Sequence, residues 1–127
     1  MDRVRTRFAK PVSDLRELVI MRVAILNGAS YEADQHAPLA RSAGVAERQL
    51  QELGSWRESD QFTAPQRAVL QLTDEMTRSV RVAPDLIAGV QAFLSEREVV
   101  ELVATIAAYN MVSRFLEALA IHSDDAR

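Results

Sequence analysis

The sequence predicts an all-α domain of roughly six helices, organised around a central helix–turn–helix pair over residues 17–44. Three observations lead there. Apolar residues recur at spacings of three and four along most of the chain, and no stretch alternates as a strand would. Two capping boxes, Thr63-Ala64-Pro65-Gln66 and Ser95-Glu96-Arg97-Glu98, mark helix starts. Gly28 and Gly44 stand where two periodic runs stop, in the position that favours a left-handed residue. The 127 residues fit a single domain, and a hydrophobic share of 48% is enough for a core and argues against disorder.

Taken in order, residues 1–12 carry Arg3, Arg5, Arg7 and Lys10 and read as a flexible arm interrupted by Pro11. The first helix is predicted from Ser13, an N-cap with Asp14 in the first turn, to about Leu26. Leu15, Leu18, Val19, Ile25 and Leu26 share one side and Ile20, Met21 and Ala24 another, so this helix should be buried on more than one face. Glu17 falls among the second set; Arg22 shares the first, where it would serve a buried acid. After Asn27-Gly28, a second helix is predicted from Ser30 to Ala43, with Ala37, Leu39, Ala40 and Ala43 inward and Pro38 inside it. Val45 to Leu53 reads as a short helix, and Gly54 to Gln61 as a polar loop around Trp56. The box at Thr63 opens a helix to about Arg78, with Ala68, Val69, Leu72 and Met76 on one stripe. Pro84 begins another to about Leu94, with Leu86, Ile87, Val90, Phe93 and Leu94 inside. The box at Ser95 opens the most apolar helix, to about Ile121, including Val99, Val100, Leu102, Ile106, Tyr109, Val112, Phe115 and Leu119. Such continuous hydrophobicity belongs at the centre of a domain or of a subunit interface. Residues 122–127 read as a frayed tail.

Composition narrows the function classes. A net charge of −3 lacks the basic excess of a nucleic-acid surface. With no cysteine, the chain has no disulfide, thiolate nucleophile, Cys-ligated zinc or iron–sulfur cluster. The first residues show no signal-peptide pattern. The longest apolar run, Val99 to Val112, is broken by Glu101 and Asn110 and falls short of the roughly 18 residues of a membrane span. A cytoplasmic protein is expected, with no nucleic-acid or membrane partner.

Glu32 and His36 stand one helical turn apart, about 6 Å between them, and Glu17 precedes them on an apolar face. Two carboxyl groups in different surroundings with an imidazole between them can divide acid and base roles. An ordinary helical ion pair plus a half-exposed glutamate fits the spacing as well. Tyr31 and Trp56 are candidate pocket walls, and Trp56 fits packing on the core as well. Asn110 and Arg114, one turn apart, either hold a substrate carboxylate or pair with Glu17 or Glu101. Ser30 and Ser113 lack a nucleophile-elbow context. Glu32, His36 and the remote His122 form no HExxH motif, so neither metal nor cofactor is expected.

The run ELVIMRVAILNGASYEADQHAPLARSAGV resembles the carboxymuconolactone decarboxylase and alkyl hydroperoxidase D (AhpD) family, and EREVVELVATIAAYNMVSRFLEALAI resembles the closing helix of its members. The likeness extends from about Asp14 to Ile121 and implies an AhpD-like helical domain that assembles as trimers or hexamers. In the peroxidase branch a CxxC motif precedes a histidine, and an upstream glutamate relays protons. Ala29 and Glu32 stand at the positions of the two cysteines here, His36 at the histidine and Glu17 at the glutamate. Thiol peroxidase and disulfide-reductase chemistry is thus not open to this chain. The decarboxylase branch carries a Glu-x-x-x-His arrangement like Glu32 to His36 and decarboxylates a small lactone acid by acid–base chemistry. Family members usually carry a further helical segment ahead of the first helix. The shorter lead here is expected to leave apolar surface on the first or last helix, with the pocket near a subunit boundary.

The resemblance therefore implies a cofactor-free acid–base enzyme, lyase or isomerase in type, acting on a small carbonyl, lactone or carboxylate substrate. Glu17, Glu32 and His36 are the expected catalytic residues; Arg22, Tyr31, Trp56, Asn110 and Arg114 are the expected substrate-binding residues. The competing expectation is a non-catalytic helical oligomer serving binding or assembly.

Overall fold

The computed structural model describes the backbone of residues 2–121 and the side chains of residues 13–121. Among these residues it has six α-helices and a 3-10 turn: α1 (Asp2–Asn27), α2 (Ser30–Ser42), α3 (Glu47–Glu52), the turn Leu53–Glu58, α4 (Ala64–Arg78), α5 (Pro84–Gln91) and α6 (Glu96–Ala118). The frayed tail expected over residues 122–127, with His122, lies outside the described residues.

The first helix starts earlier than its sequence suggests. It is continuous from Asp2, so Ser13 caps nothing and the flexible arm expected over residues 1–12 is helical backbone from Asp2 onward. Proline inside a helix removes one ladder donor and crowds one carbonyl, a local cost of about 3 kcal/mol. The nine residues before Pro11 hold no glycine and are mostly ordinary helix formers, and the helix runs through.

From Leu15 to Ala24 all but one residue has little solvent contact on either side of α1, because two cores press on it. Leu15, Val19 and Val23 pack with Val69, Leu72, Val90, Val99, Leu102 and Ile106 from α4, α5 and α6. Leu18 and Met21 pack with Ala40, Val45, Leu53, Trp56, Phe62 and Leu70. The residue between, Arg16, is exposed. Each such aliphatic side chain contributes about 1.5–3 kcal/mol of burial, so α1 is the common wall on which both halves depend.

Both glycine stops behave as expected: Gly28 has φ +63° and Gly44 φ +105°. The end of α1 closes through Gly28 N–H to the Ile25 carbonyl and Ala29 N–H to the Ala24 carbonyl, at 3.2 and 2.8 Å. This tight link brings α2 back along α1. Pro38 is accommodated within α2, whose Ala40 is fully buried while Leu39 is half-exposed. Both capping boxes form. Thr63 Oγ1 accepts from Gln66 N–H, and Gln66 Oε1 accepts from Thr63 N–H. Gln49 Nε2 also donates to Gln66 Oε1 and so ties α3 to the start of α4.

Two expectations are corrected, and the apolar surface expected on the last helix is present. The expected loop after α3 is a 3-10 turn, and Trp56 is buried in it. Helix α5 ends at Gln91, leaving Phe93 42% exposed. On α6 the row Val99, Leu102, Ile106, Asn110, Ser113 is buried, whereas Val100, Met111, Phe115 and Leu119 are 58–65% exposed. The residues were apolar all round, but only the side meeting α1, α4 and α5 is covered. By length and composition alone α6 is long and apolar enough to cross a membrane; its inner row is instead part of the helical core.

Candidate active site

The α1–α2 turn sets Glu17 beside His36. Glu17 Oε1 lies 3.2 Å from His36 Nδ1, and the two side chains keep 12% and 16% of their surface open. Tyr109 of α6 meets the imidazole edge-on, with ring centroids 5.1 Å apart and planes at 89°. In the neutral ring, a carboxylate at Nδ1 holds the proton there and leaves the lone pair on Nε2. Glu17 thus orients the ring.

Glu32 takes a different partner from the one its spacing offers. It is buried, and Ser113 Oγ donates to its Oε1 at 2.6 Å across from α6. Its Oε2 is also buried and has no hydrogen-bond partner. The expected Glu32–His36 pair does not form: the buried Ser113 hydroxyl needs an acceptor, and the Glu32 carboxyl provides one. Tyr31 is half-buried in the same first turn of α2.

Asn110 is the hub of a second group. Its Nδ2 donates to Thr77 Oγ1 and to the Ile106 carbonyl, and its Oδ1 accepts from Asn27 Nδ2 and Arg114 Nη1. Arg114 also donates to the Asn110 carbonyl. Asn110 and Arg114 therefore pair with each other, and not with Glu17 or Glu101.

Arg22 and Trp56 belong to a third group, organised by Asp74 of α4. Arg22 Nε and Nη2 donate to the two Asp74 oxygens at 2.7 and 3.1 Å, and Nη1 donates to the carbonyls of Leu53 and Gly54. Trp56 Nε1 donates to Asp74 Oδ2 at 3.2 Å, and the guanidinium groups of Arg57 and Arg67 lie over its ring. The buried acid anticipated for Arg22 is Asp74. Both residues are thereby taken from the substrate-binding set: the guanidinium has its partners, and the indole is only 2% exposed.

Sequence reasoning missed Ser113, Tyr109 and Asp74 as organising residues. Ser113 had a signal, since it lies three residues after Asn110 on the row that α6 buries. Asp74 lies four residues after Leu70, also buried on α4, and had a similar one. Among the described residues, no group of three or more His, Asp and Glu is gathered to hold a metal. A cavity of about 400 Å³ opens between α1 and α6, floored by Leu15, Leu94 and Leu102 and rimmed by Arg16, Glu98 and Glu101; it shares no residue with the Glu17–His36 pair.

Residues 13–75 match the carboxymuconolactone decarboxylase family. An uncharacterised protein, YdfG of Bacillus subtilis (strain 168), is 32% identical over 106 residues, 82% of this chain and 72% of its own length. A solved protein of unknown function from Agrobacterium tumefaciens, ATU0492, for which the role of the antioxidant defence protein AhpD is suggested, superposes with a TM-score of 0.73. It is 25% identical, over 82% of this chain and 73% of its own. The all-α, AhpD-like architecture expected from the sequence is thus observed.

Proposed function

We infer that this chain, which belongs to the carboxymuconolactone decarboxylase family, is an acid–base enzyme acting on a small carbonyl, lactone or carboxylate substrate. The observation that supports this most is the 3.2 Å contact between Glu17 Oε1 and His36 Nδ1, partly open to solvent and backed by the edge of Tyr109. His36 Nε2 is the group that takes a proton from substrate and returns it. Glu17 stabilises the imidazolium in between. In a decarboxylation, loss of carbon dioxide leaves an enolate, and the protonated ring delivers the proton to its carbon. Isomerisation or lactone opening uses the same transfers. Arg22 has no role in holding a substrate carboxylate, because that side chain is committed to Asp74.

The test combines a spectrum with a rate. Long-range proton–nitrogen correlations of His36 should report the Nδ1-protonated tautomer in the wild type and a mixture in Glu17→Gln. In a screen of small keto acids, hydroxyketones and lactones, His36→Ala should lower turnover by about 10²–10⁴-fold, the usual range for a positioned acid–base group. Unchanged turnover in His36→Ala would sink the proposal.

One observation favours the second reading, a helical oligomer used for binding or assembly. Val100, Met111, Phe115 and Leu119 form an exposed apolar row along α6, and self-association would cover it. Light scattering on Phe115→Asp tests this: a particle mass unchanged from that of the wild type counts against self-association through this face.

A further inference from the structure

The Glu17–His36 pair leaves a neighbouring buried carboxyl whose role the acid–base reading does not define. Glu32 is only 4% exposed. Ser113 Oγ, itself 1% exposed, fixes Oε1 at 2.6 Å. Oε2 is buried and has no partner. A buried carboxyl oxygen without a hydrogen bond is costly in either protonation state, since an anionic oxygen wants a donor and a protonated one wants an acceptor. One turn further along α2, His36 uses Nδ1 on Glu17, and among the described residues Nε2 has no hydrogen bond. With the proton held at Nδ1, Nε2 is an acceptor. Two unpartnered acceptor atoms therefore belong to side chains one turn apart on α2, with Cβ atoms about 6 Å apart. Ser113 already donates its hydrogen bond to the same carboxyl, through Oε1.

We propose that Glu32, held through Oε1 by Ser113, receives an O–H or N–H of the bound molecule on Oε2, so that the site takes a small hydroxylated carbonyl compound in preference to a simple carboxylate. This rests on the reading of His36 as a small-molecule site and narrows its substrate class. A carboxylate presented to Glu32 and Glu17 would meet like charge, and the buried Arg22 is bound to Asp74 through both Nε and Nη2. A hydroxyl beside a carbonyl instead places its proton on Glu32 Oε2, while the acidic C–H or O–H next to the carbonyl faces His36 Nε2. Ser113 acts as a positioning residue, because its hydroxyl fixes Oε1 and leaves Oε2 as the accepting oxygen.

The experiment is an NMR titration of the full chain with three matched probes: 2-hydroxycyclohexanone, cyclohexanone and cyclohexanecarboxylate. The imidazole resonances of His36 and the amide resonances of Glu32 and Ser113 report binding. The hydroxyketone is expected to bind about tenfold more tightly than the ketone, the effect of one hydrogen bond to a buried acceptor. In Glu32→Leu that ratio should fall to near one while ketone binding is kept. Should this variant not fold, Ser113→Ala serves, because a carboxyl released by its anchor should lose most of the preference. Equal binding of hydroxyketone and ketone, a preference that survives both substitutions, or tighter binding of the carboxylate overturns the inference and leaves the site reading intact. Binding of none of the three overturns both.

Discussion

Replacing Arg22 by methionine tests the claim that the Asp74 group holds the two cores together. The guanidinium is 6% and the carboxylate 2% exposed, and two parallel hydrogen bonds of 2.7 and 3.1 Å join them. Methionine fills much of the same space but provides no donor. Asp74 would keep Trp56 Nε1 at 3.2 Å and two solvent-facing cations, Arg57 at 3.5 Å and Arg78 at 3.8 Å. Exposed ion pairs contribute little, about 0–1 kcal/mol each, so they do not replace the lost partner. Breaking a buried pair from one side costs about 3–5 kcal/mol. The carbonyls of Leu53 and Gly54 also lose a donor, which adds to the cost. Against the roughly 5–15 kcal/mol that separate folded from unfolded domains, this is a large share. With a urea slope of about 1.5 kcal/mol per molar, the midpoint should fall by about 2–3 M. The double variant Arg22→Met/Asp74→Leu removes both charges. It should recover to within about 1–3 kcal/mol of wild type, the remainder being the unpaired Trp56 N–H and the carbonyls of Leu53 and Gly54. A loss below about 1 kcal/mol in Arg22→Met, or a double variant no more stable than the single one, would refute the reasoning.

Further outcomes follow from the turns, the caps and one surface carboxylate. Gly28→Ala should cost about 1–2 kcal/mol in a urea melt from its φ of +63° alone, because a Cβ there meets no heavy atom within 4 Å; a neutral result would mean the turn relaxes. Thr63→Ala deletes the acceptor of Gln66 N–H and should cost about 1 kcal/mol, with Thr63→Ser restoring most of it. The Ser59 hydroxyl, and after it the Arg48 guanidinium, hold the Glu52 carboxyl below its ordinary range. The small stabilisation this implies is complete above the ordinary carboxylate range and is lost as the pH falls through the lowered value. Ser59→Ala should therefore move the carbon-detected titration of Glu52 upward; an unmoved titration would assign the shift to Arg48 alone.

Local features of the fold were legible because their causes are local. The capping boxes at Thr63 and Ser95 and the positive φ at Gly28 and Gly44 each depend on a few adjacent residues. That α1 is buried on two faces was equally readable, but not how its residues divide: Leu18 packs with Met21 rather than with Leu15 and Val19, and Ile25 is exposed. The start of α1 was not readable, since one proline weighs less than the helix on both sides of it. Nor was the covered side of α6, because a helix apolar all round gives no moment to orient it. The site divides in the same way. The Glu17–His36 contact needs only the reversal at Gly28, and both residues were singled out. Glu32 was paired with the wrong neighbour because its partner, Ser113, lies 81 residues away, and Arg22 and Trp56 were drawn off by Asp74, 52 and 18 residues distant. Spacing along a helix says which side chains can meet, and the partner across the core decides which do.

The indole of Trp56 gives the domain its own optical gauge. It is the sole tryptophan of the chain, so fluorescence excited in the indole band comes from one place. That place is a ring sealed in the core, with a carboxylate at its nitrogen and guanidinium groups over its face. Charges fixed around an excited indole displace its emission, and release into water at unfolding would replace that fixed field by a mobile one. The emission maximum therefore follows the state of the Asp74 group, on which α1, α4 and the 3-10 turn converge. It belongs to a different hydrogen-bonded group from Glu17 and His36, so a single cuvette can report whether a variant at the candidate site has kept its fold while another assay asks what it does.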